Sequence, residues 1–346
     1  MSVVRTLHLY TGLALSAFLM VIALTGSALV WKEAWWRFVY SDLSAPPPAL
    51  DAAEQAAGIT AILDRYGDAV QMINLPSEEL PAWHIRLPEG QAFIDPRTFH
   101  VIDTWASRER LMGFLFDLHH SLLMGETGKL ITGYLGLGGT FMAVTGLVIW
   151  WPRRKTFSLA NLVPRGWSRV KLLRWHRDLG LVFTPLLLVV LLTGSSMIFY
   201  KTTMAVLNGL FGAPTVVSVS TLTTPPQFTP ENGWPPLGPD ELARVGAVFP
   251  DGRIIRYSPP PPNGDGLHSF RIRQPCEIHP NGRSYVYLSA IGGKVAQTSD
   301  ACTASGGQKA QNLLYPLHAG LIGNLFYKWL VFAAGLVLTI LSASGV

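Results

Sequence analysis

The sequence has few charged residues and only two cysteines among its 346 residues. Charged side chains make up 14% of the chain and hydrophobic side chains 49%, whereas a soluble protein of this size carries about 25% charged residues. Two cysteines are too few for a disulfide scaffold. The composition therefore excludes an ordinary soluble domain and a disulfide-rich fold, and it indicates a membrane protein.

Motifs of several enzyme classes are also missing. The sequence contains no Walker A loop, no GxSxG elbow, no HExxH and no GxGxxG after a predicted strand. These absences remove support for a nucleotide hydrolase, a serine hydrolase, a zinc protease and a nicotinamide or flavin enzyme. The net charge of +5 comes largely from one loop between apolar runs, so it indicates membrane orientation and no nucleic-acid partner.

Four long uncharged runs are present, at residues 9–31, 130–151, 179–200 and 329–346. Each complete run holds about 20 residues or more, enough for a helix to cross a hydrocarbon core of about 30 Å. We predict four transmembrane helices in contact with membrane lipid. The fourth run reaches Val346 with no basic segment behind it, and we therefore expect the natural chain to continue further.

Positive charge predicts the orientation of these helices. The connection between the second and third runs is strongly basic, and Arg5 precedes the first run. The basic residues of this connection are Arg153, Arg154, Lys155, Arg165, Arg169, Lys171, Arg174 and Arg177. By the positive-inside rule, this connection and the N-terminus lie in the cytoplasm. Residues 41–108 and 205–310 are then expected on the outer side of the membrane.

The chain contains two copies of one unit. The segment "RTLHLYTGLALSAFLMVIALTGSALVW" aligns without a gap with "LLRWHRDLGLVFTPLLLVVLLTGSSMIF", which places His8 on His176. The segment "DLHHSLLMGETGK" aligns with "PLHAGLIGNLFYK", which places His119 on His318. Pairs of a hydroxyl residue and a glycine recur in the same registers: Thr25-Gly26 with Thr193-Gly194, and Thr145-Gly146 with Ser344-Gly345. Each copy is a helix out, an outer segment and a helix back.

Each outer segment has the pattern of a small α+β module. We predict a helix at 51–66, strands at 70–75, 83–87, 92–95 and 100–105, and in the second copy strands at 254–258, 268–273, 284–289 and 294–298. The predicted division of the chain is transmembrane helix 1 at 1–40, module 1 at 41–108, an interfacial helix and transmembrane helix 2 at 109–152, a cytoplasmic basic loop at 153–173, transmembrane helix 3 at 174–204, module 2 at 205–310, and an interfacial segment and transmembrane helix 4 at 311–346.

The two cysteines, Cys276 and Cys302, lie in the same outer segment. In an oxidising compartment such a pair can form a disulfide, but spacing alone does not show whether the two thiols meet. A disulfide and two unlinked thiols both remain open.

The four repeated histidines are the candidate functional residues. An ionisable side chain at membrane depth is costly and usually has a function. His8 and His176 begin outward-running helices and so lie near the inner face, whereas His119 and His318 precede inward-running helices and lie near the outer face. Two imidazoles from paired helices are the trans ligands of a six-coordinate haem iron. We predict two b-type haems, one at each face.

Neighbouring residues suggest further contacts to a haem. Gly12 and Gly180 follow their histidines by four residues, on the same helix face, where a missing side chain would let a macrocycle lie against the backbone. Close helix packing explains these glycines equally well. Arg5 is three residues before His8 and could meet a haem propionate, although anchoring at the inner face is an alternative. Of the adjacent residues His119 and His120, His119 is the predicted ligand.

At these residues the sequence resembles the PepSY-associated transmembrane family, and within it the inner-membrane ferric-siderophore reductases of the FoxB type. The motifs are the H-x-x-x-G starts at His8 and His176, the L-H starts at His119 and His318, the T-G pairs, and "FIDP" in the first outer segment. The resemblance covers nearly the whole chain. It implies a membrane α-helical protein with four transmembrane helices in a tandem duplication and two small α+β PepSY-like periplasmic modules.

The resemblance also implies an activity. It predicts a haem-dependent reductase that passes electrons outward and reduces a ferric siderophore in the periplasm. His8 and His176 would hold the inner haem, which accepts electrons from an unidentified cytoplasmic or membrane donor. His119 and His318 would hold the outer haem, which delivers electrons to the substrate.

Three other hypotheses remain open at this point. The haems could serve another acceptor, such as copper, a periplasmic redox protein or a quinone. The chain could instead be a non-enzymatic, membrane-anchored PepSY binding or regulatory protein. A transporter is the third, although Pro185 is the one proline inside a complete run and the repeats share one orientation.

Overall fold

The computed structural model describes residues 2–164, 166–213, 237–261 and 266–345. Arg165 of the basic connection and Val346 lie outside these ranges. The chain divides into a helical unit, made of Met1–Lys32, Leu111–Val206 and Gln311–Val346, and a sheet unit, made of Glu33–Arg110 and Leu207–Ala310.

The described residues form ten α-helices and eight strands. In chain order the helices are α1 (Ser2–Leu29), α2 (Lys32–Val39), α3 (Ala52–Tyr66), α4 (Leu111–Ser121), α5 (Gly125–Trp150), α6 (Arg169–Ile198), α7 (Tyr200–Phe211), α8 (Pro239–Val248), α9 (Gly306–Ala319) and α10 (Leu325–Ser344). The strands are β1 (Met72–Asn74), β2 (Trp83–Arg86), β3 (Gly90–Ile94), β4 (Val101–Ala106), β5 (Arg253–Ser258), β6 (Leu267–Arg273), β7 (Ser284–Ser289) and β8 (Val295–Ser299).

Four helices of the helical unit are long and apolar enough to cross a membrane, which confirms the four predicted spans. These are the helices α1, α5, α6 and α10. In the helical unit α1 packs against α5 and α10, and α6 packs against the same two helices. The four therefore form a ring in which α1 lies diagonally opposite α6, and neighbours run antiparallel.

Two repeat-related serines join neighbouring helices of this ring. The buried hydroxyl of Ser27 in α1 shares its proton between the carbonyl oxygen of Ala23 in the same helix, at 3.0 Å, and that of Phe332 in α10, at 3.2 Å. The hydroxyl of Ser195 in α6 donates to the carbonyl oxygen of Gly133 in α5 at 3.0 Å. Small residues let the backbones approach closely enough for such bonds, which hold helices together where hydrocarbon provides no hydrophobic driving force.

The sheet unit contains one antiparallel sheet of eight strands, with the order β4-β3-β2-β1-β5-β6-β7-β8. The prediction of two separate modules is therefore wrong. The first strands of the two copies pair with each other, Ile73 opposite Tyr257 and Asn74 opposite Arg256. Alone, each four-stranded meander would expose its first strand as an edge with unpaired backbone groups, and this pairing removes both edges.

One hydrophobic core serves both halves of the sheet. Helices α3 and α8 pack against each other, and their buried side chains share a cluster with the strands of both copies. The cluster includes Ile59 of α3, Val245 of α8, Ile73 of β1 and Phe270 of β6. Burying these side chains in a single core removes more apolar surface from water than two small cores would.

The predicted elements of the outer segments have counterparts in the structure, with ends that differ by one or two residues in most cases. The helix predicted at 51–66 is α3, whose first turn is closed by a capping box. Asp51 accepts a hydrogen bond from the Glu54 backbone at 2.8 Å, and the Glu54 side chain accepts one from the Asp51 backbone at 2.8 Å. Cys276 and Cys302 form a disulfide, with their Cα atoms 6.0 Å apart.

We expect Ser27→Ala and Ser195→Ala each to destabilise the helical unit by about 0.6 kcal/mol, because each removes one hydrogen bond between helices. Thermal unfolding in detergent would show a lower Tm for each variant. Ser16→Ala is the matched control, since the Ser16 hydroxyl donates to Leu13 within its own helix. Equal melting temperatures for Ser27→Ala and Ser16→Ala would contradict the assignment.

Candidate functional site

The structure brings the four repeated histidines together as two pairs within the helical unit. The ring centroids of His119, in α4, and His318, in α9, are 6.0 Å apart. His8, in α1, and His176, in α6, lie close enough to interact electrostatically. We call His8 and His176 the first pair, and His119 and His318 the second pair.

The second pair is held by backbone carbonyl groups of two membrane-spanning helices. His119 Nδ1 lies 2.8 Å from the carbonyl oxygen of Ile22 in α1, and His318 Nδ1 lies 2.9 Å from that of Val190 in α6. A carbonyl oxygen can only accept, so each Nδ1 must carry the proton and donate it. The lone pair of each ring is consequently on Nε2, the atom that can bind a metal.

Glycines next to these carbonyl groups provide space for the imidazole rings. A Cβ atom on Gly26 would lie 2.7 Å from His119 Cε1, and one on Gly194 would lie 2.9 Å from His318 Cε1. Real Cβ atoms do not approach another atom so closely, so any other residue would push the ring away. The preceding hydroxyl, that of Thr25 in α1, lies 3.5 Å from His119 Nδ1.

The first pair is held by hydroxyl groups in place of carbonyl groups. His8 Nδ1 lies 2.8 Å from the hydroxyl oxygen of Thr145 in α5, and that hydroxyl donates to the carbonyl oxygen of Phe141 at 2.8 Å. Since its single proton is used there, the Thr145 hydroxyl accepts from His8. His176 Nδ1 lies 3.0 Å from the hydroxyl of Ser344 in α10. His8 therefore also keeps Nε2 available as a ligand.

Each of the four histidines thus faces a hydroxyl-glycine pair on another helix. In the first pair a Cβ on Gly146 would lie 3.6 Å from His8 Cε1, and one on Gly345 would lie 3.3 Å from His176 Cε1. The four supports are Thr25-Gly26 for His119, Thr145-Gly146 for His8, Thr193-Gly194 for His318 and Ser344-Gly345 for His176. These pairs aligned the repeats in the sequence, but their role beside the histidines was not predicted. Their recurrence in the same register was the pattern that could have indicated it.

The two rings of each pair approach from diagonally opposite sides of the helix ring. His8 and His176 belong to α1 and α6, and the carbonyl groups that hold His119 and His318 belong to the same two helices. A metal ion with metal–nitrogen bonds of about 2.0–2.1 Å to two imidazoles places their centroids about 6 Å apart. The ring centroids of the second pair are 6.0 Å apart, a separation close to that spacing.

The donor atoms do not suit a metal held by protein alone. Among the described residues no group of three or more His, Cys, Asp or Glu side chains could hold a metal ion. Structural zinc needs four protein ligands and catalytic zinc three. Two imidazoles suffice where a macrocycle supplies the other four ligands, as it does in six-coordinate haem. The residues present therefore fit a haem better than a bare ion.

The other predicted cofactor contacts have different neighbours. A Cβ on Gly12 would meet Met142 Cε at 2.9 Å, and one on Gly180 would lie 3.6 Å from a methyl group of Leu341. Both glycines therefore lie at contacts between helices, and their role beside a macrocycle stays a prediction. Arg5 is exposed, and its role toward a propionate likewise stays a prediction.

His120 has a neighbour of its own. Its ring is stacked on that of Phe116, with 5.3 Å between centroids and planes 10° apart. The His120 carbonyl oxygen accepts a hydrogen bond from the Thr132 hydroxyl at 2.8 Å, which ties α4 to α5. In this structure it is the His119 ring that faces the His318 ring.

The fold and the site define a membrane protein with four candidate spans and two pairs of histidines. One pair belongs to the spans, and the other is hydrogen-bonded to them. The chain belongs to the PepSY-associated TM region family, whose profile matches residues 5–346. The resemblance to this family seen in the sequence is thereby confirmed over nearly the whole chain. A comparison with curated proteins gave no match. The narrower resemblance to ferric-siderophore reductases stays a prediction.

Proposed function

We propose that the protein binds two b-type haems and passes electrons across the membrane to a ferric siderophore in the periplasm, releasing iron as Fe(II). The observation that carries the proposal is the geometry of the second pair. The ring centroids of His119 and His318 are 6.0 Å apart. Both rings are neutral, and each Nδ1 donates its proton to a backbone carbonyl group, one in α1 and the other in the diagonally opposite α6. A bound haem supplies reversible one-electron transfer through its iron.

The four histidines would form two separate haem-binding sites. His8 and His176 would bind one haem iron, and His119 and His318 the other. Hydrogen bonds at each Nδ1 set the plane of the ring, and where Nδ1 donates they fix the tautomer and increase the basicity of Nε2. Because these bonds go to neighbouring helices, the rings are oriented before any cofactor binds, which lowers the entropy cost of binding.

The proposed direction of transfer follows from the charge of the connections. The basic connection between α5 and α6 belongs in the cytoplasm by the positive-inside rule, which places the first pair near the cytoplasmic face of the bacterial inner membrane and the second pair near the periplasmic face. Electrons from a cytoplasmic or membrane donor would then enter at the first pair and leave at the second.

The proposed substrate follows from the family resemblance and from the chemistry of iron. Siderophores bind Fe(III) through hard oxygen donors, which hold the larger and softer Fe(II) much less tightly. One electron converts the bound Fe(III) to Fe(II), and the intact siderophore is then released without any bond in it being broken. Copper ions, periplasmic redox proteins and quinones are the competing acceptors.

We expect purified protein to show two haems b per chain in a pyridine haemochrome assay and in a dithionite-reduced minus oxidised spectrum. His8→Ala and His318→Ala should each lose about half of the absorbance, because each removes one of the two histidines that would hold one of the two haems. His100→Ala, a change in the sheet unit, is the control and should retain all of it. A colourless wild-type protein would exclude haem and favour a membrane-anchored PepSY binding protein.

Gly26→Ala should lower the haem content by about half, because the added methyl group occupies the space of the His119 ring. Gly209→Ala is the matched control, since a Cβ there meets no atom within 4 Å. Both variants are compared by haem-to-protein ratio and by yield of folded protein in size-exclusion chromatography. Full haem content in Gly26→Ala would show that the hydroxyl-glycine pairs do not position the ligands.

Stopped-flow mixing of the dithionite-reduced protein with a panel of acceptors tests the substrate. We expect reoxidation of the haems by ferric hydroxamate complexes, with one Fe(II) trapped by ferrozine for each electron lost. Gallium complexes of the same siderophores are redox-inert controls and should leave the haems reduced. Faster reoxidation by copper or a quinone than by every ferric complex would assign the protein to another acceptor.

A further inference from the structure

Four arginines lie together on one part of the sheet unit. Arg256 in β5 is directly opposite Arg271 in β6, on the face of the sheet opposite to the one that α3 and α8 cover, and Arg273 and Arg283 lie nearby. We call these four residues the arginine cluster. Like charges directly opposite each other on neighbouring strands destabilise a sheet. A negative charge at this position would offset the repulsion.

Two arginines of the cluster, Arg271 and Arg283, have buried hydrogen-bond donors without an acceptor. The Arg271 residue is only 8% exposed. Its Nε donates to the carbonyl oxygen of Gly282 at 2.8 Å, but its Nη2 is buried without a hydrogen-bond partner. The Nε of Arg283 is buried without a partner as well. A buried charged donor that lacks an acceptor is costly, and an oxyanion would satisfy both groups.

Among the described residues, the carboxylate of Glu277 opposes this charge and raises the pKa of Arg271, but it forms no salt bridge with the cluster. The salt bridges to arginine in the described part of the chain involve Arg110, Arg177 and Arg244, which lie outside the cluster. The nearby carboxylate of Glu277 already accepts hydrogen bonds from the backbone of Arg283 and from the Ser284 hydroxyl. Ionised guanidinium groups remain charged at any physiological pH, so the cluster cannot relieve the repulsion by losing protons.

The positive field is strong enough to affect a neighbour. The pKa of His279 is lowered to about 3, first by burial and then by the positive charges of Arg283, Arg271, Arg273 and Arg256. Burial also lowers the pKa of Arg271, and Arg283 and Arg256 lower it further. An anion in contact with these guanidinium groups would weaken this positive field.

Tyrosines add a flat surface beside the charge. The guanidinium group of Arg271 lies over the ring of Tyr285, 5.6 Å from its centroid. Tyr285 stacks with Tyr287 in the same strand, with planes 14° apart. Arginine forks next to aromatic rings are suited to planar oxyanions such as carboxylates, which they bind through two parallel hydrogen bonds.

We propose that the arginine cluster is a binding site for an oxyanion, the carboxylate or phosphate group of a ligand. The site is built entirely from the sheet unit and does not depend on haem. A soluble anion and a lipid phosphate offer the same chemistry, so the experiment must separate these two sources.

Isothermal titration of the full chain in a neutral detergent, with citrate and with inorganic phosphate as probes, tests the proposal. We expect saturable binding of at least one probe to the wild-type protein. Arg283→Gln and Arg256→Gln should each weaken it about tenfold, because each removes one charged donor. Arg65→Gln, in α3 on the helical side of the sheet, removes the same charge and should leave binding unchanged.

Arg271→Lys tests the geometry of the site, because it keeps the positive charge but loses the planar fork. Arg271→Lys should weaken binding. The melting temperatures of Arg283→Gln and Arg256→Gln should stay close to that of the wild type. Absence of saturable binding for both probes, or equal binding by Arg283→Gln and the wild type, would overturn the proposal.

Nanodiscs identify the source of the anion. If citrate or phosphate still binds in discs that contain phosphatidylglycerol, the cluster takes a soluble anion. If binding is retained in phosphatidylcholine discs but lost in discs with phosphatidylglycerol, the phosphate of an anionic lipid occupies the same oxyanion site. Binding that is equal in Arg65→Gln and Arg283→Gln discs would contradict both assignments.

Discussion

The hydrogen bond from each histidine Nδ1 to a neighbouring helix is the constraint on which the helical unit depends. An imidazole N–H in an apolar bundle must find an acceptor, because an unsatisfied polar group there costs several kcal/mol. His119 finds the Ile22 carbonyl in α1, and His318 finds the Val190 carbonyl in α6. These bonds set where α4 and α9 lie against the spans. They also leave Nε2 as the one ring atom available to a ligand.

Three consecutive residues, Thr25, Gly26 and Ser27, show how much of the helical unit this constraint decides. Thr25 approaches the histidine with its hydroxyl, Gly26 makes room for the ring, and Ser27 bonds to the next helix. Their counterparts in α6 have the same contacts. The sheet unit follows another rule, since two meanders that would each expose an edge strand pair through β1 and β5.

The helices and strands were more predictable from the sequence than their association in space. Apolar runs of sufficient length predicted the four spans, and alternating patterns predicted all eight strands, because both depend on residues close together in the chain. The joining of Ile73 to Tyr257 was missed, because two strands that are 184 residues apart have no local pattern to show that they pair. Two separate modules were the simpler expectation.

By itself the sequence determined the membrane class, the duplication and the identity of the four histidines, since a costly polar residue that recurs in register is visible without a structure. Only the tertiary structure decided that each histidine meets a hydroxyl-glycine pair and that the two rings of a pair enter from diagonal helices. Those facts depend on which helices are neighbours. Side-chain packing between distant segments settles that arrangement, and hydrophobic periodicity does not encode it.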